Sequence, residues 1–117
     1  MSGLRSYHAG RVAEDLVART YSDCGHLVCA RRWRGRSGEI DLIARQGDMV
    51  VFVEVKHSAT HAQAAESLSR GQMQRICRSA MEFLAGEPKG QDTECRFDLA
   101  LVDGAGRIEI LHNAFAA

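Results

Sequence analysis

Two carboxylates and one ammonium interrupt apolar strands between Ser37 and Lys56: Asp41 in Glu39-Ile40-Asp41-Leu42-Ile43-Ala44, and Glu54 and Lys56 in Val50-Val51-Phe52-Val53-Glu54-Val55-Lys56. A charge inside a hydrophobic strand must be solvated, paired or metal-bound, because burying it bare is expensive enough to neutralise it. Side chains alternate faces along a strand, so Glu54 and Lys56 share a face across Val55. Asp41 joins them when it lies opposite an even-numbered residue, which requires a loop of even length. Gln46-Gly47 as a two-residue turn, or Arg45 to Asp48 as a four-residue one, sets Asp41 opposite Phe52 and diagonal to Glu54, with about 7–8 Å between backbones. Val51, Val53 and Val55 then form the opposite, buried face. Asp41 and Glu54 in that arrangement suit a magnesium or manganese ion, which takes hard oxygen ligands and keeps several waters, and the carbonyl of Val55 is a third candidate ligand. Lys56 is placed to position an attacking water or to neutralise charge developing on a phosphate. In-line hydrolysis of a phosphodiester is the reaction class these groups serve.

The pattern Gly38-Glu39-Ile40-Asp41 followed by Glu54-Val55-Lys56 resembles the signature of the PD-(D/E)XK nucleases, the restriction-endonuclease-like group. Further residues widen the likeness: Gly10-Arg11-Val12-Ala13-Glu14-Asp15, Arg96-Phe97-Asp98 and His112-Asn113-Ala114-Phe115. With them, nearly the whole chain resembles the YraN-like family, itself an uncharacterised protein family. That resemblance implies a fold related to archaeal Holliday-junction resolvases. It also implies Asp41 and Glu54 as metal ligands, Lys56 as the catalytic lysine and Glu14 as an auxiliary acid from the first helix. In YraN-like sequences a lysine commonly stands near position 72, where this chain carries the neutral amide of Gln72, which weakens any phosphate contact there.

The 117 residues suit one domain, 1–117, large enough to bury a core without disulfides. Fifteen Lys and Arg balance fifteen Asp and Glu, so there is no global attraction to nucleic acid. Locally, Arg31, Arg32, Arg34 and Arg36 cluster before the hairpin. With Trp33 among them, arginines that hold phosphates and an aromatic that stacks on bases make Arg32, Trp33, Arg34 and Arg36 candidates for touching nucleic acid, DNA above all. Solvated surface and a core-edge tryptophan are the plainer alternatives. Cys24, Cys29, Cys77 and Cys95 show no C-x-x-C spacing and no secretory leader precedes them, which points to a reduced, cytoplasmic setting with structural, buried thiols rather than a zinc site. No apolar run approaches the ~20 residues of a membrane span.

The elements that must position the charges follow from periodicity. Val12, Ala13, Leu16, Val17 and Tyr21 mark an amphipathic helix from Ser6 to about Asp23, closed by Gly25 as a left-handed cap. Glu14 sits beside its apolar stripe, able to lean toward Asp41 and Glu54 or to pair with Arg11 three residues earlier. A strand begins at Leu27, and the hairpin follows. His57 to Glu66 is polar and Ala-rich and predicts a mobile loop; His57 and His61 would be an i, i+4 metal pair only on a helix. Ser69 caps a helix whose stripe is Met73, Ile76, Cys77, Ala80 and Leu84, ended by Gly86 and Pro88. On its other faces Gln72 and Arg75 are further candidates for a phosphate backbone. Cys95 to Val102 and Arg107 to His112 read as two more strands around Asp103-Gly104-Ala105-Gly106. Asp98 is either another auxiliary acid or a partner of Arg96 or Arg107, and Ala114 and Phe115 tuck the C-terminus onto the core.

The expected architecture is therefore α/β: a restriction-endonuclease-like core with a mixed sheet of about five strands and flanking helices, in the order α-β-β-β-α-β-β. Two functions fit it. One is a magnesium-dependent endonuclease acting on DNA, with branched DNA a candidate substrate and a homodimer a candidate assembly; the other is a non-catalytic module that binds nucleic acid or protein on the same scaffold. A salt-bridge cluster of Asp41, Glu54 and Lys56 with no catalytic role is the bland account of the same residues.

Overall fold

The computed structural model describes residues 2–116, with side chains from position 8 to 116. In chain order the elements are α1 (Ser2–Asp23), β1 (Leu27–Arg34), β2 (Glu39–Gln46), β3 (Met49–His57), α2 (His61–Glu66), α3 (Arg70–Leu84), a 3-10 turn (Gly90–Asp92), β4 (Cys95–Val102) and β5 (Ile108–Phe115). The five strands form one mixed sheet in the order β1-β2-β3-β4-β5. β3 and β4 run parallel, joined by the two helices between them, and the other neighbours are antiparallel.

Helices cover both faces. Ala13, Val17 and Tyr21 of α1 pack on Leu42, Ala44, Val51, Val53, Val55, Ala100 and Val102. On the other face Ile76, Cys77, Ala80 and Leu84 of α3 meet Ile40, Ile43, Val50, Phe52 and Phe97. This double coverage explains why β3 reads as a continuous apolar run rather than an alternating one.

Several expectations are corrected. Segment 61–66 is helical rather than loop: Thr60 Oγ1 accepts the Gln63 amide at 3.1 Å, and Ala64 is fully buried beside Leu99 and Leu101. The order is thus α-β-β-β-α-α-β-β. His57 ends β3 while His61 begins α2, so they are not a helical pair; His61 instead contacts the Arg107 carbonyl at 2.8 Å and Glu109 at 3.4 Å. The hairpin turn is Gly47-Asp48, with Gln46 opposite Met49 and Gly47 at φ 60, the positive φ that a type II′ turn needs at its first central residue. Helix α1 begins at Ser2 and β5 extends to Phe115. Cys24 and Cys29 are exposed, not buried.

Gly25, at φ 88, closes α1, and Ser69 Oγ caps α3 by accepting the Gln72 amide at 3.1 Å. Phe115 tucks onto Phe97 with 5.2 Å between ring centroids, while Ala114 is exposed. Trp33 stands edge-on to Phe83 at 5.4 Å, a core-edge position. No helix among the described residues is long and apolar enough to cross a membrane.

Candidate metal and catalytic site

The turn position shifts the hairpin register by two residues from the expected one. Leu42 pairs with Val53, and one further step sets Asp41 level with Glu54 rather than with Phe52. The recorded ladder stops at Leu42, and beyond it the Val55 amide donates to Asp41 Oδ2 at 2.8 Å. A side chain thus replaces a backbone acceptor where β2 leaves β3.

The cause lies one strand further out. Ile40 packs under α3 and Leu42 under α1, although two residues apart in a regular strand share a face. Trp33 and Ala30 of β1 likewise both pack on the α3 side, and Arg32 between them has φ 52. The pairings Arg31 with Leu42 and Trp33 with Ile40 set Arg32 against Asp41. Both strands therefore change faces at this one level. A positive φ in a non-glycine residue is uncommon and disfavoured by roughly 1 kcal/mol. Here the Arg32 side chain is tied to Glu14 Oε1 at 2.8 Å. That bond brings α1 to the site and gives Glu14 a partner on β1.

Glu54, 5 % exposed, accepts from Gln72 Nε2 at 3.0 Å and lies 3.3 Å from Lys56 Nζ. Gln72 is three residues past the Ser69 cap, where a capping-box side chain turns back to the cap amide; here it crosses to Glu54. Asp41 and Glu54 are close enough for one to donate to the other when protonated. Burial, and then the adjacent Asp41 carboxylate, push Glu54 up to about 8 against the pull of Lys56. Burial also raises Asp41; the Val55 amide opposes this and the Glu14 charge adds to it.

Glu14, Asp41, Glu54, Val55, Lys56 and Gln72, with Gly10, His57 and Ser67, line one open polar pocket of about 390 Å3. Of the predicted site residues it gathers Asp41, Glu54, Val55, Lys56, Glu14 and Gln72. Gly10, His57 and Ser67 are the additional ones; Gly10 opens the family-like run and His57 follows Lys56, while Ser67 carried no signal in the sequence.

Arg32 reaches this pocket through Glu14, while Trp33, Arg34, Arg36 and Arg75 do not line it. Arg34 pairs with Glu39 at 3.4 Å, the Arg36 amide donates to Glu82 at 2.9 Å, and the exposed Arg75 lies one turn of α3 beyond Gln72. Asp98 is fully buried in a cluster of its own: it accepts from Tyr21 Oη at 2.6 Å, Arg96 Nε at 2.9 Å and the Asn113 amide at 2.9 Å, with His112 Nδ1 at 3.1 Å. These donors hold its carboxyl below the usual range against the effect of burial. Asn113, at φ 53, sits where β5 shifts register against β4, and its amide is turned to Asp98. Asp98 therefore ties α1, β4 and β5 together. Arg107 pairs instead with Asp103.

The donors present fit a hard divalent cation in type. Asp41 and Glu54 offer carboxylate oxygens, and the amide and carbonyl of one strand residue point to the same side, so the Val55 carbonyl faces the gap that its amide spans to Asp41. Among the described side chains Lys56 lies 3.3 Å from Glu54 and Arg32 lies 2.8 Å from Glu14.

Residues 13–102 match the family model described as uncharacterised protein family UPF0102. A UPF0102 protein of Cereibacter sphaeroides strain KD131 is 65% identical over 117 residues, covering all of both chains. One of Ruegeria pomeroyi is 60% identical over 97% of this chain and 92% of its own, and one of Dinoroseobacter shibae 51% identical over 95% and 83%. By both the family model and these relatives, the chain is a member of the uncharacterised protein family UPF0102.

Proposed function

We propose that this chain is a magnesium- or manganese-dependent endonuclease that hydrolyses phosphodiesters in DNA, with the PD-(D/E)XK arrangement its sequence resembles. The observation that carries this is the pairing of two carboxyls, the buried Glu54 and the half-buried Asp41, both held above the usual range, in an open polar pocket beside Lys56. A fold gains nothing by burying two like charges side by side, whereas a cation site needs them there. Asp41, Glu54 and the Val55 carbonyl would hold the ion. When bound, it would supply Lewis acidity at a phosphate oxygen and favour ionisation of a nearby water.

The chain's own groups would do the rest. Val55, through its amide, fixes Asp41 in one orientation, and Gln72 does the same for Glu54. The Lys56 ammonium, 3.3 Å from Glu54, would orient the attacking water and balance charge as the phosphorus becomes pentacoordinate. Glu14, held by Arg32, would add negative charge at the pocket's rim.

The test is digestion of a panel of DNAs (supercoiled plasmid, single strand, flap and four-way junction) with magnesium, manganese or chelator. Metal-dependent cleavage that Asp41→Asn abolishes, with folding retained, supports the proposal. Binding that persists in chelator with no nicking of any substrate by the wild type assigns the chain to the non-catalytic module instead.

A further inference from the structure

Two groups of arginines in this chain contrast. Arg31, Arg32, Arg34, Arg45, Arg96 and Arg107 are each ion-paired to a carboxylate of the fold. Arg70, Arg75 and Arg78, all exposed and all on α3, form no ion pair among the described residues. The one acid of that helix, Glu82, is taken up by the amides of Arg36 and Ser37 at 2.9 and 3.4 Å. In a chain of zero net charge, this leaves three exposed guanidiniums on one helix with no carboxylate opposing them among the described residues.

The order of these residues around α3 is informative. At about 100° per residue, Gln72, Arg75, Arg78 and Arg70 succeed one another around the outer face in steps of roughly 60–80°. The series starts in the acidic pocket, where Gln72 touches Glu54. It ends at a groove of about 620 Å3 lined chiefly by Arg70, Met73, Cys77, Arg78 and Met81. Gly71 leaves the first turn without a side chain; a Cβ there would meet only the Arg75 guanidinium at 3.6 Å. Guanidiniums without partners along the edge and an apolar floor between them match a single nucleic-acid strand, whose phosphates need cations and whose sugars and bases need apolar contact.

We propose that the outer face of α3, from Gln72 through Arg75 and Arg78 to the groove at Met73 and Met81, is the track for a single DNA strand passing to or from the acidic pocket. The arginines before the hairpin are committed to carboxylates of the fold or lie outside this path. The track depends on the endonuclease proposal only for what happens at its end; strand binding itself requires no cleavage.

The test is salt-dependent binding of fluorescein-labelled oligo(dT) by the full chain in chelator, between 50 and 300 mM salt. Each phosphate contact contributes about 0.7 to the slope of log affinity against log salt for a single strand. The triple variant Arg70→Gln/Arg75→Gln/Arg78→Gln is expected to lose about 2 from that slope. A comparison variant, Arg19→Gln/Lys89→Gln, is expected to leave it unchanged. Should the triple variant fold poorly, each single substitution is expected to lose about 0.7. An unaltered slope in the α3 variants, an equal loss per charge in the comparison variant, or no binding by the wild type at 50 mM salt overturns the proposal. Strand binding with these slopes but no cleavage in any metal sinks the endonuclease proposal alone.

Discussion

Replacing Glu54 by Gln removes the buried member of two adjacent acids while keeping an oxygen able to accept from Gln72 and Lys56. Glu54 has an ordinary value of 4.5 and is pushed to about 8 in the fold. The folded chain therefore holds the proton more tightly than the unfolded one. The contribution of this group to stability is whole below about pH 4.5 and is lost as pH rises through the folded value. Each pH unit of that window is worth at most about 1.4 kcal/mol. Because Asp41 shares the proton and local relaxation blunts the effect, a loss of about 2 kcal/mol between pH 5 and 8 is expected. Glu54→Gln should match wild type near pH 5 and exceed it by about 2 kcal/mol at pH 8, roughly 8 °C in melting temperature. With 10 mM magnesium and a dissociation constant near 1 mM, wild type at pH 8 regains about 1.4 kcal/mol and the variant regains little. Urea and thermal unfolding at pH 5 to 8.5, with magnesium and with chelator, measure all of these quantities. A variant less stable than wild type at pH 8, or a wild-type to variant difference that does not change with pH, refutes the shared-proton picture of the pocket.

Asp41→Asn keeps an oxygen for the Val55 amide, so unfolding should show a change under about 1 kcal/mol while magnesium-dependent stabilisation disappears. Lys56→Gln is expected to lower kcat of DNA cleavage by about 100-fold or more while magnesium still raises the melting temperature. Asp98→Asn should destabilise by about 3 kcal/mol, since Tyr21, Arg96 and His112 all lose a charged acceptor in a fully buried place. Because Asp98 is held below its ordinary value, its contribution is present above pH 4 and lost as pH falls, so acid unfolding curves of wild type and variant should converge toward pH 2. Ser69→Ala should cost about 1 kcal/mol through the lost cap on α3, read by urea unfolding.

What the sequence made legible follows from where each determinant lies. Helix α3 announced itself through its stripe, its Ser69 cap and the Gly86-Pro88 stop, all local features. The hairpin was legible, and so was the meeting of Asp41 with Glu54, although two even-length turns had to be weighed and a third was adopted. Gly47 favoured the observed Gly47-Asp48 turn, because the first central residue of a type II′ turn requires positive φ. For α2 the signal was Thr60-His61-Ala62-Gln63, a capping-box spacing hidden by polar composition. Nothing local marks the change of faces at Arg32 and Asp41: an arginine at φ 52 is set by Glu14 across 18 residues of chain. Of the Asp98 cluster the Arg96 partner was legible two residues away, while Tyr21, 77 residues away, was hidden for the same reason. The exposed Cys24 and Cys29 lie just before and within an edge strand, where a general tendency of thiols to be buried does not apply.

The most direct measurement is the anomalous signal of manganese in crystals soaked at neutral to alkaline pH, where both acids can ionise once a cation is present. A peak within about 2.5 Å of oxygens from both Asp41 and Glu54, absent from Asp41→Asn crystals, is the predicted result. Manganese found elsewhere only, with Asp41 and Glu54 still holding a proton between them, would contradict a metal-dependent chemistry at this pocket.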